Sequence, residues 1–212
     1  MISLRKILVL LLLFSLSGCS IHIAATPTVD EYCYYLNPGK DVSAVGRVAI
    51  VEMNNNSSFP QISVDVTEAL FQALQKKQIF GLTRVSHSDP DWRSLQLDLD
   101  SKCTPEQLTA ASNLLKCNAV LVGTITEYQP YPHMAIGLRL KLVDLKDGQL
   151  LWALEQVWDC SDKTTESRIS NYFRCQMRSG LVPLQEQLVV VSSLNFIKFV
   201  AYEIAQTIQP GY

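Results

Sequence analysis

The chain has little positive charge for its size, and this limits the partners that it can bind. It contains 18 lysine and arginine residues against 20 aspartate and glutamate residues, a net charge of −2 at pH 7. Proteins that bind nucleic acid use clustered lysine and arginine to neutralise phosphates, and the sequence has no such cluster. We therefore expect no nucleic-acid partner.

Glycine and proline are also few, with nine of each among 212 residues. This content excludes a collagen-like chain, and a composition of 48% hydrophobic and 18% charged residues excludes a disordered one. Once a leader is set aside, the length suits one well-cored domain better than two.

Signals for catalysis and for metal binding are missing as well. The sequence has no Gly-x-Ser-x-Gly elbow, no phosphate-binding loop and no glycine-rich dinucleotide turn. A zinc site usually begins with a close pair such as His-x3-His or Cys-x2-Cys, which the chain lacks. Its three histidines lie far apart: His22, His87 and His133. We predict no catalytic, cofactor-binding or metal-binding residues, and no enzyme activity.

Two acidic segments have structural interpretations. The polar stretch from His87 to Lys102 contains Pro90 and is predicted to be a long surface connection. Its four aspartates lack the ligand spacing of a calcium loop: Asp89, Asp91, Asp98 and Asp100. Trp92, in the same stretch, either folds back on its own domain or anchors a partner protein. Asp159 and Asp162 are predicted to cap a helix.

The first nineteen residues indicate a secreted, lipidated protein. Met1 to Lys6 is a short cationic start, and Ile7 to Phe14 is an apolar run of eight residues, too short to span a bilayer as a helix. Leu16-Ser17-Gly18-Cys19 resembles the lipobox of bacterial lipoproteins, in which the signal is cut before the cysteine and the cysteine carries lipid. The alternative is a plain signal peptide with a chance cysteine. Ser20 is not the aspartate of an inner-membrane retention signal, so the resemblance implies the outer membrane, facing the periplasm.

We divide the chain into a signal peptide over residues 1–18, a lipidated tether over 19–41 and a periplasmic α/β domain over 42–212. The tether mixes Thr, Pro, Asp, Tyr and Gly without a period. No second apolar run is able to span a bilayer, because the densest, Leu188 to Ala205, is interrupted by polar residues. The lipid on Cys19 is therefore the membrane attachment that we expect.

Hydrophobic periodicity predicts the secondary structure. Five segments have the composition or the alternation of strands: 46–53, 80–85, 119–128, 134–144 and 150–158. Four segments have helical spacing: 62–76, 104–117, 161–177 and 192–208. Gly180 and Pro183 are predicted to break the third helix, and residues 189–191 to be extended. This order predicts a single α/β domain, with a mixed sheet of about five strands and helices packed on it.

The most specific local signal is a hairpin. Asp147-Gly148 supplies the positive φ of a tight turn between the strands 134–144 and 150–158. In the first of these strands, Arg139 and Lys141 alternate with an apolar face, so we expect them to be exposed and to form a candidate binding surface.

Two helix starts also have recognisable signals. Thr104, Pro105 and Gln107 have the pattern of a capping residue, a first helical position and a third. Ser192-Ser193 is predicted to cap the last helix.

Several segments together carry a family resemblance: Val48–Met53, Cys117–Tyr128, Leu138–Asp144 and Gly148–Trp152. A strand ending in Val-Asp, a turn with glycine and a strand ending in Trp are similar to the curli-export lipoproteins (CsgG-type), the Pel polysaccharide-export lipoproteins and the amino-terminal domain of TolB. The resemblance covers about residues 46–158. It implies a small α/β domain of the anticodon-binding type that binds or assembles without catalysis. The lipidated Cys19 is the one functional residue that it carries over.

Five cysteines remain after Cys19, an odd number in a compartment that permits disulfides. The predicted helix between Cys103 and Cys117 would hold them about 20 Å apart, against the roughly 7 Å limit of a bridge. The same objection applies to Cys160 and Cys175. We leave the connectivity of these four and Cys33 open, with buried unpaired thiols as the simplest expectation.

These expectations combine into a function. We expect a non-enzymatic, lipid-anchored scaffold or assembly component at the outer membrane, of the kind that serves an export or secretion system. An envelope protein or a second copy of the chain is the expected partner, beside the membrane itself. One alternative is an accessory activator of a cell-wall synthase, and a second is an enzyme with an unrecognised site.

Overall fold

The computed structural model describes residues 33–95, 97, 103–176 and 192–209. The predicted signal peptide, Cys19 and most of the tether lie outside the described residues, as do the helix breaks at Gly180 and Pro183 and the extended piece at 189–191. Within the described ranges, no helix combines the length and the apolar character needed to cross a membrane.

All five predicted strands and all four predicted helices are present, with observed ends within two residues of the predicted ones. The strands are β1 (Tyr34–Leu36), β2 (Arg47–Val51), β3 (Asn54–Asn55), β4 (Gly81–Val85), β5 (Ala119–Gln129), β6 (Ala135–Asp144) and β7 (Leu150–Asp159). The helices are α1 (Ile62–Lys77), α2 (Pro90–Leu95), α3 (Pro105–Leu115), α4 (Lys163–Gln176) and α5 (Ser193–Thr207), with a 3-10 turn at Val42–Val45.

The strands form one mixed sheet in the order β1-β7-β6-β5-β2-β4, with β3 paired to β5. β2 is parallel to β4 and to β5, because the helices α1, α2 and α3 carry the chain back between these strands. β5, β6, β7 and β1 are antiparallel neighbours. The predicted mixed sheet with packed helices is confirmed, and two short strands, β1 and β3, add to its five.

Helices cover the two faces of the sheet unequally. α1, α4 and α5 pack on one face over the larger core, whose bulkiest side chains are fully buried: Trp152, Trp158, Phe196 and Phe199. α2 and α3 pack on the other face over a smaller cluster: Ala49, Val51, Val85, Leu95, Leu108, Ala111 and Val120. This smaller cluster reaches β6 and β7 only near their connecting turn, at Val143 and Leu150.

The ordered domain begins earlier than predicted. Tyr34–Leu36 lies inside the predicted tether, yet it pairs with Trp152–Leu154 of β7 as an edge strand. Lys40, also in that segment, forms ion pairs with Asp144 at 2.5 Å and with Asp147 at 2.6 Å. The folded domain therefore begins before the predicted boundary at residue 42, which is wrong. No local pattern shows this, because a three-residue strand is too short to have a period and its partners lie more than a hundred residues away.

The segment from residue 87 to 102 is not a plain surface connection. It contains the helix α2, whose Leu95 is buried and whose Trp92 packs against the smaller cluster. Trp92 therefore folds back on its own domain. Pro90 occupies the first position of this helix, where the missing N–H costs no hydrogen bond. The prediction of a plain surface connection is therefore wrong for Pro90–Leu95.

The two predicted helix starts differ in detail. At α3 the backbone N–H of Gln107 donates to Thr104 Oγ1 at 3.3 Å, and the backbone N–H of Thr104 donates to Gln107 Oε1 at 2.9 Å. This reciprocal capping box confirms the prediction. At α5 the capping position is Ser192, as predicted, but its side chain makes no capping hydrogen bond.

A small polar cluster joins β7, α4 and α5 inside the larger core. Trp158 Nε1 donates to Glu203 Oε2 at 2.7 Å, and Arg168 Nε lies 3.1 Å from Glu203 Oε1. Glu203 is 7% exposed. A buried carboxylate needs such partners, because an unpaired charge in the interior is costly. The cluster therefore fixes the positions of α4 and α5 on β7.

The hairpin turn supplies one stability prediction. Gly148 has φ of +72°, and an added Cβ would lie 3.0 Å from Leu108. We expect Gly148→Val to lower the free energy of unfolding by about 1 kcal/mol or more, because a β-branched residue tolerates positive φ poorly. The control is Gly39→Val, at a glycine without positive φ. Equal denaturant midpoints for the two variants would contradict the turn assignment.

The polar cluster supplies a second prediction. Glu203→Ala should lower the free energy of unfolding by about 3 kcal/mol, because it leaves the Arg168 guanidinium and the Trp158 N–H without their buried acceptor. Glu203→Gln keeps an acceptor for Trp158 and should cost less. Glu127→Ala, at an exposed glutamate, is the control and should change stability by no more than about 0.5 kcal/mol. Chemical denaturation that ranks Glu203→Ala with the control would refute this role.

Candidate interaction surface

The half of the second sheet face that the smaller cluster leaves uncovered forms a continuous surface. Residues directly opposite each other on neighbouring strands point to the same face. Arg139 of β6 pairs with Glu155 of β7, Lys141 pairs with Ala153, and Gly137 pairs with Val157. We call this surface the open sheet face and define it by seven residues: Tyr35, Gly137, Arg139, Lys141, Ala153, Glu155 and Val157.

The open sheet face is mixed in chemistry. Tyr35 and Val157 are 45% and 49% exposed and supply the apolar part of the surface. Arg139 Nη2 donates to Glu155 Oε1 at 2.8 Å, which holds the pKa of the Glu155 carboxyl below its ordinary value. Exposed ion pairs of this kind contribute little to stability. The surface thus combines apolar area with a pair of charges that a partner can engage, as protein interfaces do.

A close approach between strands shapes this surface. β5 has a bulge between Ile125 and Glu127, opposite Gly137 of β6. A Cβ at Gly137 would collide with the side chain of Thr126 and come within 2.9 Å of Glu127 Cγ. Only glycine fits there, so the bulge in β5 and the shape of the open sheet face around Gly137 both depend on this residue.

The structure places Arg139 and Lys141 on this face, as predicted, with Arg139 exposed and Lys141 half-buried. Tyr35 was not predicted to lie on this face, since it falls in the predicted tether, and neither was Val157. The alternation of β7 is a signal that could have identified Val157, because Trp158 beside it is core. The role of Tyr35 depends on pairing of β1 with β7, which no local pattern reveals.

The other candidate residues have structural roles. The backbone N–H of His87 donates to Glu52 at 3.1 Å, and Ser86 Oγ donates to the same carboxylate at 2.7 Å, which lowers the pKa of Glu52. Asp89 accepts the N–H of Ser86 at 2.7 Å. These bonds organise the loop after β4. His133 is exposed, and His22, Asp98 and Asp100 lie outside the described residues.

Asp159 and Asp162 organise the start of α4, as predicted. Asp159 accepts the N–H of Ser161 at 2.7 Å, and Asp162 accepts the N–H groups of Thr164 and Thr165 at 3.3 and 3.2 Å. Hydrogen bonds from Thr164 and Thr165 lower the pKa of Asp162 to about 2. Within the described ranges, no group of three or more His, Cys, Asp or Glu side chains could hold a metal ion.

Cysteine placement only partly matches the expectation of buried thiols. Cys117 is buried, and burial raises the pKa of its thiol. Burial also raises the pKa of the half-buried Cys160 to about 11. Cys33 and Cys175 are free thiols at exposed positions, so the expectation of burial is wrong for these two residues. Cys103 is half-buried against the smaller cluster.

No protein-family model matches the chain, and no curated protein matches it. Solved structures that it is similar to include the PelC dodecamer from Paraburkholderia phytofirmans, at 14% identity over 84% of this chain and 98% of that chain, with a TM-score of 0.49. Lipoprotein GNA1162 from Neisseria meningitidis is similar at 17% identity over 63% and 99% of the two chains, with a TM-score of 0.44. LpoB from E. coli is similar at 18% identity over 53% and 57%, with a TM-score of 0.40. The resemblance to curli-export lipoproteins stays a prediction. At these levels of identity and superposition, the matches assign no function to the chain.

Proposed function

We propose that the chain is a non-enzymatic, lipid-anchored scaffold or assembly component at the outer membrane, facing the periplasm and serving an export or secretion system. The open sheet face is the observation that carries the scaffold part of this proposal. Its partner is an envelope protein or a second copy of the chain. The signal sequence and the lipobox ending in Cys19 support the location.

One described groove has polar side chains that already serve the fold. It has a volume of about 560 Å³ and lies between the hairpin turn and α3. Its polar groups already serve the fold: Lys40 pairs with Asp144, Ser112 Oγ donates to the Cys117 carbonyl, and Asn118 accepts the N–H of Arg47. No nucleophile in it meets a base, as acyl or phosphoryl transfer would require.

The length of the tether argues against the alternative of a synthase activator that reaches far from its anchor. Because β1 begins at Tyr34, only about 14 residues separate Cys19 from the folded domain, and a flexible segment of that length spans about 20 Å on average. The domain then works close to the membrane. This favours a component assembled at the membrane surface.

The anchor is tested by Cys19→Ala. We expect the wild-type protein to incorporate labelled palmitate and to fractionate with membranes in high salt. Each methylene of an acyl chain that is buried in the bilayer contributes about 0.8 kcal/mol to membrane binding, and several chains together hold the protein there. The variant should accumulate as an uncleaved or mislocalised precursor without label. A wild-type protein that is unlabelled, released by salt and cut elsewhere would refute the proposed location.

The open sheet face is tested by Val157→Glu. A buried charge in a protein contact is costly, so this change should reduce cross-linking in cells, to a partner or to a second copy, at least tenfold. Val64→Glu is a matched control, because Val64 is 45% exposed against 49% for Val157 but lies on α1. Unfolding midpoints of both variants should stay near the wild-type value. A wild-type protein that stays monomeric at high concentration and yields no cross-linked partner would overturn the scaffold proposal.

A further inference from the structure

Two exposed aromatic side chains on loops and one half-buried aromatic side chain near the end of β5 lie at one end of the sheet, which we call the aromatic tip: Phe59, Tyr131 and Tyr128. The rings of Phe59 and Tyr128 meet edge to face, with centroids 5.4 Å apart. Phe59 is 41% exposed, and Tyr131 is 83% exposed in the loop between β5 and β6. Two large aromatic rings left in water at the same end of a sheet indicate a contact surface.

Hydrogen bonds hold the loops that carry these rings. Asn55 Nδ2 donates to the Phe59 carbonyl at 2.8 Å, and the N–H of Ser57 donates back to Asn55 Oδ1 at 2.8 Å. On the other loop, the N–H of Cys160 donates to the Met134 carbonyl at 2.9 Å. The rings are therefore presented by braced loops.

Charge is distributed unequally between the two ends of the sheet. The tip loops, residues 54–61 and 127–134, contain one formally charged residue, Glu127, and no lysine or arginine. At the other end, Asn118 joins the start of β2 to the hairpin turn, through hydrogen bonds with Arg47 and Leu145. Charged residues gather there: Lys40, Arg47, Lys116, Asp144, Lys146 and Asp147. Of the two ends of the sheet, the aromatic end has the fewer charged residues, so it is the end that suits an apolar partner.

The direction of β1 places its first residue, where the tether joins the domain, on the side of the aromatic end. β1 is antiparallel to β7, with Tyr34 opposite Leu154 and Leu36 opposite Trp152. The chain before Tyr34 therefore points toward the end of β7 at Asp159, which pairs with Ala135 beside the tip loop. The five residue-to-residue steps from Leu154 to Asp159 cover about 17 Å. A tether that spans about 20 Å on average is matched to this distance.

We propose that the aromatic tip lies in the headgroup region of the bilayer that holds the lipid on Cys19, so that the domain has two points of membrane contact and a fixed orientation. This inference rests on the proposed lipidation of Cys19. The bilayer is the occupant because the direction of β1 and the small number of residues between Cys19 and Tyr34 favour the tip as the membrane side of the domain, with its charged end away from it.

Aromatic contact, and not electrostatic attraction, carries this attachment. Tyrosine favours the membrane interface, where its ring is buried and its hydroxyl stays hydrated, and phenylalanine buries its ring at the same depth. Acidic groups near the tip oppose an anionic surface: Glu127 lies in a tip loop, and Asp159 and Asp162 follow at the end of β7, where hydrogen bonds lower the pKa of both aspartate carboxyls. The contact should therefore form on zwitterionic lipid and persist in high salt.

The test places a tryptophan at each end of the sheet in the full mature lipidated protein. Tyr131→Trp reports on the tip, and Lys146→Trp, in the hairpin turn, is the matched control. Both share the same background, because Trp152 and Trp158 are buried and Trp92 is packed. Each protein is reconstituted in phosphatidylcholine vesicles with plain or brominated acyl chains. We expect bromine to quench the tryptophan added at residue 131 at least twofold, and the one added at residue 146 not at all, with the same result in 0.5 M salt.

Flotation of the vesicles separates this inference from the anchor. Protein that floats while neither added tryptophan is quenched, or while only the one at residue 146 is quenched, would overturn the orientation and leave the anchor intact. Protein that does not float would refute the anchor and this inference with it. If a second copy or a partner covers the tip, the tryptophan at residue 131 will be shielded from aqueous acrylamide yet unquenched by bromine, which also overturns the inference.

Discussion

The packing of two tryptophans of β7 against α5 is the constraint on which the rest of the fold depends. Both are fully buried, and each indole N–H has an acceptor on α5: Trp152 donates to Thr207 at 3.1 Å and Trp158 to Glu203 at 2.7 Å. Large aromatic side chains dominate core energetics, and their N–H groups need partners when buried. These two hydrogen bonds hold α5 against both ends of β7, and α1 and α4 pack against α5.

Burial of the two tryptophans on one side of β7 also determines which residues lie on its other side. Since side chains alternate along a strand, burial of Trp152 and Trp158 turns Ala153, Glu155 and Val157 to the opposite face. The helices α2 and α3 occupy only the parallel part of that face, because they connect β4 to β5 and must stay near them. The open sheet face is therefore a consequence of connectivity: every described helix is committed elsewhere. A face left bare in this way is available for a partner without any rearrangement of the fold.

The elements with a strong local period were predictable, and those defined by distant pairing were not. β6 and β7 alternate over ten residues with Asp147-Gly148 between them, so the hairpin and the exposure of Arg139 followed from the sequence. β1 has three residues and is ordered by β7 and by the Lys40 ion pairs, which are tertiary. α2 was hidden because Pro90 has opposite meanings at the first turn of a helix and inside one. Of the candidate surface, the charged part was predictable, whereas Tyr35 entered it through β1.

The position of β1 also determines how the domain bears mechanical load. A force transmitted through the chain before Tyr34 acts along the axis of an antiparallel edge strand, so the bonds of the register from Tyr34 to Leu36 are sheared together instead of being unzipped one at a time. Beyond them along the chain, Lys40 forms ion pairs with Asp144 and Asp147 at the hairpin turn. A pull at the amino terminus is thus spread over the central hairpin before it reaches any helix.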